Sequence, residues 1–187
     1  MRRRPTPSHS PGISWPPTPT AVERLRTELD SALGGRPATA ADVGELAYTR
    51  AVLSEALRLY PPIWAFGRTT VSRYELEDQA IPVGSNLMIS PWVTHRTAGL
   101  FPEPHRFVPE RWLGEGSPAP YAFYPFGGGR RRCIGEGLAM AVGTMVLATV
   151  ARQWSMQLAG PAVASQAGLT LRPRGGVPVV VHRRVAG

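Results

Sequence analysis

A chain of 187 residues can bury one sustained core, and an apolar fraction of 43% is ordinary for a folded domain, so global disorder is excluded. All 21 basic residues are Arg and the net charge is +8, yet the only runs are Arg2–Arg4, Arg130–Arg132 and Arg183–Arg184. No aromatic residues alternate with them, which argues against nucleic-acid binding.

Residues 1–19 carry Pro, Ser and Thr with little that could bury, and read as a disordered Pro-rich leader to one domain over residues 20–187. No apolar h-region follows Met1, so a signal peptide is not expected. Thr20-x-x-Glu23 makes a capping box for a helix in which Val22, Leu25, Leu29 and Ala32 recur at helical spacing. Gly34-Gly35 ends it. A second helix is predicted from Tyr48 to Leu59, stopped by Pro61-Pro62, with Val52, Leu53, Ala56, Leu57 and Tyr60 as its apolar arc. Glu55 and Arg58 fall opposite that arc, where periodicity alone makes them an exposed pair.

Three strand-like runs follow, Arg68 to Ser72, Gln79 to Pro82 and Asn86 to Ser90, with Pro82-Val83-Gly84-Ser85 as the turn between the last two. From Thr94 to Tyr124 the chain reads as loop; a loop that long in a compact domain is usually functional or wraps a ligand. A third helix starts directly after Cys133, with Ile134, Leu138, Ala141, Val142 and Met145 as its buried face. The longest apolar stretch, Leu138 to Ala151, falls short of the roughly 20 residues of a membrane span, so no span is expected. Leu169 to Leu171 and Val177 to Val181 flank Pro173-Arg174-Gly175-Gly176 as a predicted hairpin. The fold class is mainly α with a small β-subdomain.

Cys133 is the only cysteine, so no internal disulfide is available and a cytoplasmic setting is expected. A single Cys is most often a small buried hydrophobe. Here three glycines precede it, a helix N-terminus follows it and arginines flank it, a setting suited to an anionic sulfur acting as nucleophile or metal ligand. Nucleophilic catalysis needs a base, and His9, His95, His105 and His182 show no local signature of one. Zinc needs more Cys or closely spaced His, whereas haem needs one axial ligand and cations for its propionates.

Phe126-x-x-Gly129-x-Arg131-x-Cys133-x-Gly135 resembles the haem-binding signature of the cytochrome P450 family at every fixed position. Upstream, Glu55-x-x-Arg58 resembles the family's E-x-x-R, and Pro109-Glu110-Arg111-Trp112 its P-E-R-F/W element. The resemblance implies that Cys133 is the axial ligand of haem b and that Phe126 packs against the haem or the sulfur. It further implies that Arg131 and Arg68 hold the propionates and that Glu55, Arg58 and Arg111 form a buried ionic cluster. His95 and His105 gain no role from it. The implied activity is insertion of one oxygen atom of dioxygen into a small organic substrate. Electrons would come from a ferredoxin or flavodoxin, steered by Arg130 and Arg132.

The family's oxygen-activating helix, with its acid–alcohol pair, has no counterpart before Glu55. The chain is therefore expected to match the C-terminal part of the P450 fold, the start being an unrelated leader. Thr97-Ala98 stands after His95-Arg96 where the family often has Asp-Pro. The alternatives are a non-catalytic remnant that binds haem weakly or not at all, and a basic interaction module in which Cys133 only packs.

Overall fold

The computed structural model describes residues 19–114, 118–161 and 163–184. Apart from Pro19, the expected leader lies outside the described residues. Helix α1 (Pro19–Leu33) begins at that proline, which needs no N–H partner in a first turn, so Thr20 lies inside the helix and does not cap it. Ala21, Leu25, Leu29 and Leu33, four apart, are its buried edge, with Val22 and Ala32 half-buried beside them. Gly34 (φ 51°) and Gly35 (φ 89°) then turn the chain left-handed, a conformation that stops the helix at little cost only with glycine.

Helix α2 (Ala47–Leu59) has Leu46 at its N-cap, a residue with no side chain to offer the free N–H groups. The carboxylate of Glu28, on α1, does that work. It accepts from the N–H of Tyr48 at 2.6 Å, the N–H of Thr49 at 2.8 Å and the Thr49 hydroxyl at 2.7 Å.

Helix α3 (Pro91–Thr94) is a single turn, and α4 (Glu136–Gln153) is the longest among the described residues. Arg184 closes the C-terminus of α4 by donating to the carbonyls of Ala151 and Arg152 while reaching Asp30 on α1. Leu25, Leu29, Leu33, Leu46, Tyr48, Val52, Leu59, Phe107 and Ala148 form one core where α1, α2 and α4 meet.

The face expected to bury α4 is not the one that does. Ile134, Leu138 and Val142 are exposed, Ala141 and Met145 are half-buried, and Thr144 and Ala148 are the buried residues. The reason is close approach: small residues let the α4 backbone come down on α2 and α1. A Cβ at Gly143 would sit 2.8 Å from the Leu53 side chain. No helix among the described residues is long and apolar enough to cross a membrane.

Among the described residues, the sheet structure consists of four two-stranded antiparallel pieces. Strand β1 (Phe66–Thr69) pairs with β4 (Asn86–Ile89), and β2 (Tyr74–Leu76) pairs with β3 (Gln79–Ile81). Pro82–Ser85 is a turn, but it does not fold β3 onto β4. Thr70 takes its bonds, exchanging them with Gly84 and Ser85, while β3 is claimed by β2 across Glu77-Asp78. Farther on, β5 (Trp154–Leu158) pairs with β8 (Val179–Arg183), and β6 (Ser165–Ala167) pairs with β7 (Leu171–Pro173). The predicted hairpin across Pro173–Gly176 does not form either. Strand β5, running directly off α4, presents a five-residue edge that β8 takes instead.

Leu29 has no exposed surface, so Leu29→Ala is expected to cost about 2–5 kcal/mol. Leu138→Ala, on the uncovered side of α4, should stay within about 0.5 kcal/mol. Urea unfolding followed by circular dichroism measures both, and equal losses would contradict the packing described.

Candidate functional site

The site is built around a buried ion pair. Glu55 and Arg58 sit three apart on α2 and both are 0% exposed, because the loop from His95 to Leu113 lies over the polar side of the helix. The pairing is bidentate, with Arg58 Nε to Glu55 Oε2 and Arg58 Nη2 to Glu55 Oε1, each at 2.8 Å. Arg58 spends its other three N–H groups on loop carbonyls: His95 at 2.7 Å, Pro104 at 2.8 Å and Arg106 at 3.0 Å. All five donors are satisfied.

Glu55 is equally occupied. It accepts the Val108 N–H at 2.8 Å, Arg111 Nε at 3.1 Å and Trp112 Nε1 at 2.9 Å, the last two from the one-turn 3₁₀ helix Pro109–Trp112. Burial alone would raise its carboxyl pKa. The bonds from Arg58 and Val108 and the charges of Arg58 and Arg111 outweigh burial and hold it below the ordinary value.

His95 ends α3 and is fully buried. Its carbonyl takes Arg58, while its ring Nε2 accepts the backbone N–H of Tyr124 at 3.0 Å. The rings of Phe101, Phe123 and Tyr124 surround it at 5.1–6.4 Å between centroids. Burial, with the positive charges of Arg58 and Arg96, lowers its pKa from 6.5 to about 4. The Tyr124 hydroxyl bonds Thr94 at 2.6 Å, and Tyr124 meets Phe66 of β1 edge-on.

From Tyr124 the chain enters the cysteine loop. The Gly127 N–H donates to the Tyr124 carbonyl at 3.0 Å, and the Cys133 N–H donates to the Phe126 carbonyl at 2.9 Å. Gly127 (φ 77°) and Gly129 (φ 64°) take left-handed conformations that other residues rarely adopt. The loop runs through a 3₁₀ turn at Gly129–Arg131 to Gly135, the N-cap of α4. The helix therefore starts at Glu136, three residues beyond the cysteine. Cys133 is exposed. A Cβ at Gly135 would lie 3.8 Å from its sulfur, an ordinary contact distance.

Phe126 is half-buried and, with Tyr121, Tyr124 and Gly128, lines a cleft of about 410 Å³ that Arg132 and Glu136 border. Arg130 and Arg131 are exposed, and Arg132 is paired with Glu136. Arg68, on β1, is also exposed; it donates to the Gly67 carbonyl at 2.9 Å and lies over the Phe66 ring. Among the described residues, no group of three His, Cys, Asp or Glu could hold a metal ion, so the sulfur stands as a single candidate ligand. An exposed thiol beside unpaired guanidiniums fits a planar, anionic iron porphyrin, which asks for one axial donor and two carboxylate partners.

An E-x-x-R pair buried under a P-E-R-W turn is thus bonded through a histidine to a glycine loop carrying one exposed cysteine. The family model for cytochrome P450 matches residues 17–175. Cyclooctatin synthase of Streptomyces melanosporofaciens is 47% identical over 141 residues, 74% of this chain and 31% of that protein. Cyclooctat-9-en-7-ol 5-monooxygenase of the same organism is 40% identical over the same extent. Among solved structures, retinoic acid-bound cyanobacterial CYP120A1 superposes with a TM-score of 0.82 and 28% identity, over 88% of this chain and 39% of that one. The chain belongs to the cytochrome P450 family and has part of its fold, spanning about a third of the length of these relatives.

Glu55→Ala strands a buried guanidinium and is expected to cost about 3–5 kcal/mol, enough to remove folded protein. Trp112→Phe deletes one donor to the same carboxylate and should cost about 1.5–3 kcal/mol by urea unfolding. Because the Glu55 pKa is depressed, its contribution is present above its unfolded value near 4.5 and is lost as pH falls through the lower folded one.

Proposed function

We propose that this chain is the haem-ligating portion of a P450 monooxygenase, with Cys133 as the axial ligand of haem b. The observation that carries this reading is the exposed Cys133 sulfur, on a loop held by its own N–H to Phe126 and bonded back to a buried ion pair. Supporting it is the family membership, together with relatives whose names describe a synthase and a monooxygenase. Bound there, haem supplies dioxygen activation, and one oxygen atom passes into a small organic substrate.

The chain's own residues fix where that chemistry happens. Gly129 supplies the left-handed turn the loop needs, Gly135 leaves room beside the sulfur, and Phe126, whose carbonyl takes the Cys133 N–H, is the residue to pack against the haem. Arg131 and Arg68 are the propionate partners, each having N–H groups facing solvent. Glu55, Arg58 and Arg111 hold the loop's foundation and touch no reacting atom. Ile63 to Phe66 is the segment facing substrate, pinned by the Trp64 N–H on the Gly168 carbonyl and the Leu171 N–H on the Pro62 carbonyl, both at 2.8 Å. A ferredoxin or flavodoxin in the cytoplasm is the electron donor. Arg130 is its main attractor, since Arg132 is paired with Glu136.

A second reading is favoured by one observation. Ile134, next to the cysteine, and Leu138, Val142 and Val146 along α4 are uncovered, and a haem with no apolar cover would be held weakly or not at all. Optical titration with haemin decides between the two. The reduced carbon-monoxide complex is expected to give a red-shifted Soret band, lost in Cys133→Ala, and Arg131→Ala should weaken haem affinity roughly tenfold. Absence of uptake, or a spectrum of nitrogen ligation, would sink the first reading. Arg130→Glu should slow electron delivery at low salt and not at high salt.

A further inference from the structure

His95 is not part of any of the three sequence motifs, yet it lies between two of them. Its carbonyl is bonded to Arg58 of the buried pair, and its ring accepts the Tyr124 N–H. The run continues from the Tyr124 carbonyl to the Gly127 N–H, and the Phe126 carbonyl takes the Cys133 N–H. We infer that His95 is a positioning residue for Cys133, joining the Glu55–Arg58 pair to the cysteine loop, and that it does so only as the neutral imidazole.

The requirement for neutrality follows from geometry. Nε2 accepts a hydrogen bond, so the ring hydrogen is on Nδ1, which is buried and has no hydrogen-bond partner. A proton added at Nε2 would meet the Tyr124 N–H head-on and break the link. The groups facing the ring make matters worse for a cation. Arg58 on α2 bonds its carbonyl, Arg96 adjoins it, and Arg111 lies over Phe101, which packs on it. The Tyr124 phenol is bonded to Thr94, and Glu55, the carboxylate behind Arg58, has both oxygens occupied.

The depressed pKa agrees: the neutral ring is favoured by folding. The link is thus fully made above 6.5, the ordinary histidine value, and weakens as pH falls toward about 4. Between those limits the equilibrium for closing the loop is expected to fall roughly tenfold per pH unit.

The inference rests on the haem-site reading only for its functional meaning, and the test needs no haem. Amide hydrogen exchange is measured by NMR on the full chain at pH 7.0 and stepwise down to 4.5. In wild type, protection of the Tyr124, Gly127 and Cys133 amides should collapse together as pH falls, ahead of Leu29 in the core. His95→Gln carries a non-titrating acceptor that reaches the same N–H, so it should keep protection at pH 7.0 and abolish that pH step. His95→Leu should lose at least tenfold protection at those three amides. If it fails to fold, the wild-type and Gln profiles decide alone. A Gln profile identical to wild type, or His95→Leu leaving Cys133 protected, overturns the inference. If the amides behave as expected while haemin is refused, the haem reading fails and the coupling stands.

Discussion

A guanidinium withdrawn from water cannot leave any of its five N–H groups unbonded, and the structure depends on how Arg58 meets that condition. Two donors close on Glu55 one turn back, and three reach carbonyls of a loop 37 to 48 residues away. The loop has almost no regular structure to hold it. Its fold is specified by the need to present His95, Pro104 and Arg106 at the right places around one side chain. Glu55 performs the reciprocal task for Val108, Arg111 and Trp112. A buried pair of this kind adds little net stability by itself, because desolvation consumes much of the attraction. What it contributes is uniqueness, since alternative loop paths leave charges unpaired.

The helices were largely legible from spacing, and their polar relations were not. Leu25 and Leu29 announced α1, and Gly34-Gly35 its end. On α2 the apolar arc was right in part: Val52 is in the core and Ala56 and Tyr60 pack against it, but Leu53 and Leu57 are only half-buried, while Glu55 and Arg58 are sealed. Periodicity assumes that charge faces water, and fails when a second layer of chain supplies carbonyls and N–H groups in water's place. Only the resemblance to a family suggested a buried cluster. On α4 the rule failed in the opposite direction, since Gly143, Thr144 and Ala148 made the close contact, with Leu147 beside them, while Ile134, Leu138 and Val142 stayed outside.

Strand pairing was the least legible. The Glu77-Asp78 turn, with Glu77 at φ 50°, lacks the Asn-Gly or Asp-Gly signature that marks two-residue hairpins, so β2 was not expected at all. The glycine turns that did stand out, at Gly84 and Gly175-Gly176, connect strands belonging to different pairs. At the site, the cysteine, its glycines and its arginines were readable as a motif. His95 gave no signal, because its importance lies in which backbone groups its two ends meet. Trp112 could have been found: where a phenylalanine or tryptophan can stand, the indole alone brings an N–H, and here it is spent on Glu55.

The absent methyl at Gly143 has a mechanical meaning. Leu53 occupies the room a side chain there would need, so the α4 backbone meets the Leu53 side chain of α2 directly. The helix that carries the ion pair and the helix that leaves the cysteine loop consequently share a direct apolar contact, in addition to the polar links through His95. The loop that presents the sulfur is thereby tied to α2 twice, from in front through the histidine and from behind through the helix that follows it.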